Sequence, residues 1–231
     1  MGSNYKISYG VDLVFCIDAT QSMEMDHILE TVKENALNFY QDFKRVMDAK
    51  NKPVARLRVE LIAFRDYLAD GNQAMMMTDF FELPTQAESF RNAVQCIVGD
   101  GGGDDPEDGL EAVAFAIKKT KWSKECTRNR HVIVVWSDDA AHPLGFGRRA
   151  PNYPTNMAKD FNELTSWWGT KSKPGIMDEY AKRMILFTPD APGWREIRDN
   201  WNKVIHYESN AGNGLRDCDY DAILSAICNT I

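Results

Sequence analysis

Three runs of apolar residues dominate the pattern of hydrophobic and polar positions along the chain. They cover residues 11–17, 132–137 and 184–188, and each run holds a single polar side chain. Nearly continuous apolar runs of this length are typical of parallel strands that are buried on both faces. They predict three core strands of a sheet.

Weaker strand patterns accompany these core strands. Residues 56–64 alternate apolar and polar side chains, which predicts a strand with one more polar face. Residues 75–81 are a shorter strand candidate that Pro84 ends, and residues 203–207 are predicted to form an edge strand.

Helical patterns lie between the predicted strands. Residues 25–47 carry apolar side chains at three- and four-residue steps, as one face of an amphipathic helix does. Pro106 suits the first turn of a second helix that runs to about residue 119. Further helices are predicted over residues 86–98, 158–168, 193–201 and 220–231.

Strands that alternate with helices predict an α/β fold of the Rossmann-like, doubly wound type. Its sheet is expected to be mostly parallel, with helices on both faces. We expect residues 11–231 to form this one domain and residues 1–10 to be an N-terminal extension or a tag remnant.

The composition narrows the classes of partner. The chain has 231 residues and a formal net charge of −7, which argues against a nucleic-acid partner because phosphate binding is driven by clustered Lys and Arg. No apolar run reaches the roughly 18 residues of a membrane span, and the first residues lack the apolar segment of a signal peptide. We therefore expect a cytoplasmic protein, unless a native leader has been removed.

The first core strand is followed directly by three oxygen-bearing side chains. Asp18 ends the strand, and Thr20 and Ser22 follow at alternate positions before a helix begins. The carboxyl end of a strand is where open α/β sheets bind ligands, and hard oxygen ligands suit Mg²⁺, Mn²⁺ or Ca²⁺. The alternative is a helix N-cap, a role that Asp, Thr and Ser also fill.

Further carboxylates follow the other predicted strands. Asp66 and Asp138 come after strands, and Asp104, Asp105 and Glu107 lie on a glycine-rich turn. All parallel strands end at one edge of a sheet, so these groups are expected to meet there. Crowded carboxylates repel one another unless a cation neutralises them. The alternative is that each acts separately as a turn or cap residue.

Three segments resemble those of a von Willebrand factor A domain in order, spacing and structural context. They are Asp18-x-Thr20-x-Ser22-Met23, Gly102-Gly103-Asp104-Asp105-Pro106-Glu107 and Ser137-Asp138-Asp139-Ala140-Ala141-His142-Pro143. The first is similar to the Asp-x-Ser-x-Ser of a metal-ion-dependent adhesion site. The second, with its Asp-x-Pro-Glu form, is similar to the hemicentin-like and integrin β I-like branch.

The resemblance implies a set of metal ligands. Asp18, Thr20, Ser22, Glu107 and Asp138 are expected around one divalent cation, with Mg²⁺ as its occupant in a cell. Asp104 is expected at an adjacent cation site, and Arg65-Asp66 resembles the Arg-Asp pair of the same branch. A second cation or a salt-bridge cluster with Arg65 is predicted around Asp66 and Asp104.

The resemblance also implies a function. In that family the neutral hydroxyls leave the cation electrophilic, and a Glu or Asp of a partner protein fills its open coordination position. We therefore expect a non-enzymatic protein-interaction module. The alternative is a Mg²⁺-dependent phosphohydrolase, but that class needs an acid two residues after the first Asp, and Thr20 stands there.

Residues 144–168 and the histidine just before them leave two interpretations open. His142 either contacts the metal site or is a structural, hydrogen-bonded residue. Phe146, Arg148 and Arg149 near the expected mouth have the composition of an interface, whereas Trp167 and Trp168 are explained equally well by core packing.

Overall fold

The structure is a computed structural model that describes residues 8–25, 27–103, 105–209 and 220–231. Within these residues one seven-stranded sheet has the order β3-β2-β1-β5-β6-β7, with β4 also paired to β2. The strands are β1 (Tyr9–Asp18), β2 (Val54–Phe64), β3 (Met75–Met77), β4 (Phe81–Leu83), β5 (Arg128–Trp136), β6 (Lys182–Thr188) and β7 (Val204–Glu208).

The sheet is mostly parallel, as predicted. Strands β2, β1, β5, β6 and β7 run parallel to one another, and the short strands β3 and β4 run antiparallel to β2. The single strand predicted over residues 75–81 is wrong in detail. Two three-residue strands pair with different parts of β2, and residues 78–80 connect them.

Helices cover both faces of the sheet, which confirms the Rossmann-like α/β fold. They are α1 (Gln21–Met25), α2 (Ile28–Ala49), α3 (Tyr67–Asp70), α4 (Ala87–Gln95), α5 (Gly109–Lys118), α6 (Phe161–Trp168), α7 (Trp194–Asn200) and α8 (Tyr220–Thr230). The helix predicted over residues 25–47 is α2, and the short helix α1 precedes it, with His27 between them in a left-handed conformation at φ 57°. None of the helices in the described part is long and apolar enough to cross a membrane.

Two hydrophobic layers enclose β1. Leu13 and Phe15 pack with the side chains of α2, α4 and α8, and the intervening Val14 and Cys16 pack with α5, α6 and α7. Successive side chains of a strand point to opposite faces of a sheet, and both faces are covered here. All ten residues of β1 are therefore buried. The strand therefore ends in a rigid setting, and its last residue is Asp18.

Helix α5 begins later than the sequence predicts. Pro106 precedes the helix instead of lying in its first turn, since α5 starts at Gly109. Glu107 is extended and bridges to Ala141: its backbone N–H donates to the carbonyl of Ala140 (3.2 Å), and its own carbonyl accepts from His142 (2.8 Å). This tertiary pairing overrides the local proline signal and fixes Glu107 beside the exit of β5.

Candidate metal centre

Asp18 lies at the carboxyl edge of the sheet and is fully buried. Its Oδ1 accepts hydrogen bonds from the backbone N–H (3.1 Å) and the hydroxyl (2.7 Å) of Thr20. Its Oδ2 accepts from the hydroxyl of Ser137, the residue after β5, at 2.7 Å. Two loops therefore hold this carboxylate in one orientation.

A chain of side-chain contacts leads from Asp18 to the surface. The hydroxyl oxygens of Thr20 and Ser22 are 3.1 Å apart, and the hydroxyl of Ser22 donates to Oδ1 of Asp138 at 3.2 Å. Thr20 and Asp138 are buried, whereas Ser22, in the first turn of α1, is exposed. The structure thus brings four of the predicted ligands into one network that is open to solvent at Ser22.

Glu107 approaches this network from the glycine-rich turn. A methyl group placed on Gly102 would lie 2.8 Å from Oε1 of Glu107 and 3.3 Å from Cβ of Thr20, so both side chains lie against this glycine. Glu107 is 4% exposed, and its Oε2 is buried without a hydrogen-bond partner among the described residues. Burying a carboxylate oxygen without a hydrogen-bond partner destabilises the folded protein unless a cation binds that oxygen.

Electrostatics at the site also favour a bound cation. Burial, with the charge of Asp138, raises the pKa of Asp18 to about 7, although the hydrogen bonds from Thr20 and Ser137 act in the opposite direction. Burial raises the pKa of Glu107 to about 10, and the nearby charges of Asp18 and other carboxylates add to the effect. A divalent cation would offset both causes by neutralising the crowded carboxylates.

The donor set consists of hard oxygens. In the part of the chain that the structure describes, no three side chains drawn from His, Cys, Asp and Glu form a metal-ligand group by themselves. A coordination shell here would combine the hydroxyls of Thr20 and Ser22 with the carboxylates of Asp18, Asp138 and Glu107. Such a set fits Mg²⁺, Mn²⁺ or Ca²⁺, which prefer oxygen ligands.

Asp66 lies close to the centre but has structural partners. Its Oδ1 accepts from the backbone N–H groups of Leu68 (2.5 Å) and Ala69 (3.3 Å) and caps α3, and its Oδ2 lies 3.6 Å from Nε2 of His142. Its charge still contributes to the raised pKa of Glu107. Asp104 lies outside the described residues, so the second cation near Asp66 and Asp104 stays a prediction.

Among the described residues, Arg65 makes no salt bridge with Asp66. The predicted contact of Arg65 with Asp104 lies outside these residues, so the salt-bridge alternative stays a prediction. The Nε of Arg65 donates to the carbonyl of Ala19 (2.8 Å) and its Nη2 to the carbonyl of Val98 (2.7 Å). Because Ala19 lies between Asp18 and Thr20, these bonds hold the loop that carries the candidate ligands.

Two polar residues of the centre were not assigned a role from the sequence. Ser137 donates to Asp18, although the sequence places it only within a motif and predicts no role for it. Asp70 holds the glycine-rich turn, since its Oδ2 accepts from the N–H groups of Gly102 and Asp66, both at 3.1 Å. The only available signal for Asp70 was its proximity in sequence to Asp66, which does not distinguish it from any other loop residue.

Residues 144–168 divide into a packed and an exposed part. Trp168 is 1% exposed, and its indole N–H donates to the carbonyl of Asn202 at 2.9 Å, so core packing accounts for this ring. Trp167 is also buried. Phe146 is 45% exposed and stacks on the buried ring of His142, with ring centroids 3.8 Å apart. Phe146 and the exposed Arg149 therefore remain as candidate contact residues.

Comparisons with known proteins agree with this fold. Residues 12–165 match the sequence model of the von Willebrand factor type A domain. A comparison with curated proteins gave no match.

Several solved structures are similar in fold. Proximal thread matrix protein 1 from the mussel byssus has a TM-score of 0.55 and 11% identity, over 97% of this chain and 49% of that one. A von Willebrand factor type A structure from Catenulispora acidiphila has a TM-score of 0.51 and 10% identity, over 96% and 42%. The pilus adhesin SpaC from Lactobacillus rhamnosus GG has a TM-score of 0.50 and 14% identity, over 98% and 31%. The chain thus spans less than half the length of each of these structures.

Proposed function

The chain belongs to the von Willebrand factor type A domain family, and from this premise we propose that it is a non-enzymatic, metal-dependent protein-interaction module. It binds a Glu or Asp side chain of a partner protein through a divalent cation, with Mg²⁺ as the cation in a cell. The observation that carries the proposal is the buried Oε2 of Glu107, which has no hydrogen-bond partner among the described residues and lies beside the hydrogen-bonded network of Asp18, Thr20, Ser22 and Asp138.

The proposed ligand residues have different roles. Thr20 and Ser22 offer neutral hydroxyls, so they contribute little negative charge to the shell. Asp18 is held by donors on two loops and keeps its position without a rotamer change. When bound, the cation supplies positive charge and a coordination position for an incoming carboxylate.

The location of the site suits recognition of a partner. The network reaches solvent at Ser22, and Phe146 is exposed on the segment that packs against His142. The chain carries a formal charge of −7, and at this carboxylate-rich centre an acidic partner residue is attracted only when a bound cation reverses the local field. The similar SpaC protein is named as a pilus adhesin, which agrees with a binding role.

Calorimetric titration with Mg²⁺ and with Mn²⁺ tests the metal centre. Asp18→Asn keeps the size of the side chain but removes its charge, and we expect the affinity for both ions to fall at least about tenfold, since each tenfold step is only about 1.4 kcal/mol. Glu34→Gln removes one charge from an exposed position of α2 and is the matched control. Equal affinities in Asp18→Asn and the wild type would rule out this assignment.

A further inference from the structure

A second polar site lies at the opposite edge of the sheet, where β5 and β6 begin. A surface cavity of about 470 Å³ is lined there by four cationic side chains, Arg128, Arg130, Arg183 and Lys203. We call it the basic pocket. Its volume lies within the range of about 300–1,000 Å³ that is typical of small-molecule sites.

The fold assembles this pocket from distant parts of the sequence. Arg128 and Arg130 are two residues apart on β5 and therefore share one face of the sheet. Arg183 on β6 is paired in register with Val132, which places it on that same face. Lys203 precedes β7 at the same edge. No basic stripe is visible in the sequence because three separate segments supply the charges.

The cations of the basic pocket have no salt-bridge partner among the described residues, although the charge of Glu179 acts on Arg183 and favours its protonated form. Arg130 and Arg183 donate from Nη1 to backbone carbonyls, those of Asn129 (2.9 Å) and Lys182 (2.6 Å). The Nε of Arg130 is buried without a hydrogen-bond partner in the same set of residues.

One carboxylate also lines the pocket but is already engaged. Oδ1 of Asp178 accepts from the N–H groups of Tyr180 (2.8 Å) and Ala181 (3.3 Å) and stabilises the turn before β6. Four cations thus face one acid, in a chain whose formal net charge is −7. The positive charge is a local feature that the overall composition conceals.

The cations of the pocket disfavour one another. Burial and the charge of Arg128 lower the pKa of Arg130, and burial and the charge of Arg130 lower the pKa of Arg183. A bound anion would counteract both shifts, because an opposite charge favours the protonated form.

We propose that the basic pocket binds a phosphate group. Guanidinium groups match the oxygens of a phosphate with paired N–H donors, and Lys adds a point charge. Three guanidiniums and one ammonium exceed what a single carboxylate can neutralise, and a bound phosphate dianion or diphosphate brings the local charge closer to balance. The phosphate belongs either to a soluble small molecule or to a lipid headgroup.

Titration with inorganic pyrophosphate at low salt tests the proposal. EDTA is present throughout, so that no cation at the metal centre contributes to binding. Arg128→Gln combined with Lys203→Gln removes two exposed charges of the pocket, and we expect the affinity to fall at least about tenfold. Arg91→Gln combined with Lys124→Gln removes two exposed charges elsewhere and is the matched control, with affinity expected within about twofold of the wild type.

The two sources of phosphate are separated by a second arm. Phosphatidylcholine vesicles with and without a phosphoinositide are sedimented with each variant, and retention that depends on Arg128 and Lys203 assigns the group to a lipid. Pyrophosphate binding without such retention assigns it to a soluble molecule. Asp18→Asn is expected to bind phosphate as the wild type does, so the outcome is independent of the metal centre. The proposal is overturned if neither probe binds, or if both double variants lose equal affinity.

Discussion

Glu107 is the residue at which the electrostatics of the metal centre can be tested most directly. Its pKa is raised to about 10, mainly by burial, so without a cation the carboxyl group is protonated at pH 7. A glutamine resembles this protonated form in both size and charge. The native charge is therefore needed only when a cation is bound.

Glu107→Gln should accordingly leave the protein in EDTA nearly as stable as the wild type at pH 7, within about 0.5 kcal/mol. The stabilisation that saturating Mg²⁺ gives the wild type should disappear, because ligand binding to the folded state raises stability only where affinity is retained. Thermal unfolding with and without Mg²⁺ measures both effects. A full Mg²⁺-dependent shift in Glu107→Gln, equal to that of the exposed control Glu34→Gln, would contradict the role of Glu107.

Glu60, which is not a proposed metal ligand, is expected to make the stability of the protein depend on pH. It is 2% exposed on β2, and burial raises its pKa from 4.5 to about 7 even though the hydroxyl of Thr120 donates to it at 3.3 Å. Between these two pKa values the folded state holds more protons than the unfolded state, so stability falls as pH rises. The contribution of Glu60 is fully present below pH 4.5 and is lost as pH rises through about 7.

Glu60→Gln should remove this part of the pH dependence. Urea unfolding in EDTA between pH 5 and pH 8 should show the variant gaining stability relative to the wild type, by roughly 2 kcal/mol at the upper end. The variant is compared with the wild type at each pH, which cancels other titrating groups such as Asp18. Parallel curves for the two proteins would contradict the prediction.

The residues of the metal centre were predictable to different degrees. Asp18, Thr20 and Ser22 are close together directly after an apolar run, so their convergence needs no tertiary information. Ser137 and Asp70 could not be assigned, because their roles depend on which atoms of other loops they meet.

At the scale of elements, the glycine-rich turn before α5 decides how closely Glu107 approaches Thr20. Gly102 has φ +86°, a conformation that favours glycine, and an added Cβ would lie 2.8 Å from Oε1 of Glu107. Gly71 has φ +53°, but an added Cβ there would meet nothing within 4 Å. An alanine would be strained by the positive φ at either position. Only at Gly102 would its Cβ also clash with another side chain.

Gly102→Ala should therefore weaken Mg²⁺ binding, by roughly tenfold or more, because Glu107 must move away from the centre. Gly71→Ala should lower the free energy of unfolding by about 1 kcal/mol because of its positive φ, yet it should bind Mg²⁺ as the wild type does. Calorimetry and thermal unfolding on both variants separate the two effects. Equal Mg²⁺ affinities in Gly102→Ala and Gly71→Ala would show that the turn does not position Glu107.

The elements themselves were predicted well where local sequence decides them. The continuous apolar runs are strands β1, β5 and β6, since burial on both faces leaves an unmistakable pattern. The predicted start of α5 was wrong, because a bridge between Glu107 and Ala141 competes with the tendency of Pro106 to begin a helix. The short strands β3 and β4 were merged into one because their separation depends on pairing with β2.

At the scale of the whole molecule, charge is distributed between two poles of the sheet. Carboxylates gather where the parallel strands end, and the four cations of the basic pocket gather where strands begin. A net charge of −7 averages over both and reveals neither. The carboxylate pole repels an acidic partner unless a cation is bound, so partner binding should follow the occupancy of the metal centre.

Selection from a random peptide display library in Mg²⁺, with elution by EDTA, tests this expectation. Eluted peptides should be enriched in Asp or Glu, and replacing that residue by Asn or Gln should abolish binding. Ser22→Ala should weaken the retained peptides strongly because it removes a proposed ligand, whereas Ser89→Ala, at an exposed position of α4, should have no effect. Arg149→Ala should weaken them less, mainly through a slower association rate, as rim charges do. Peptides that bind equally in EDTA and to Ser22→Ala would place recognition on another surface and leave the cation a structural role.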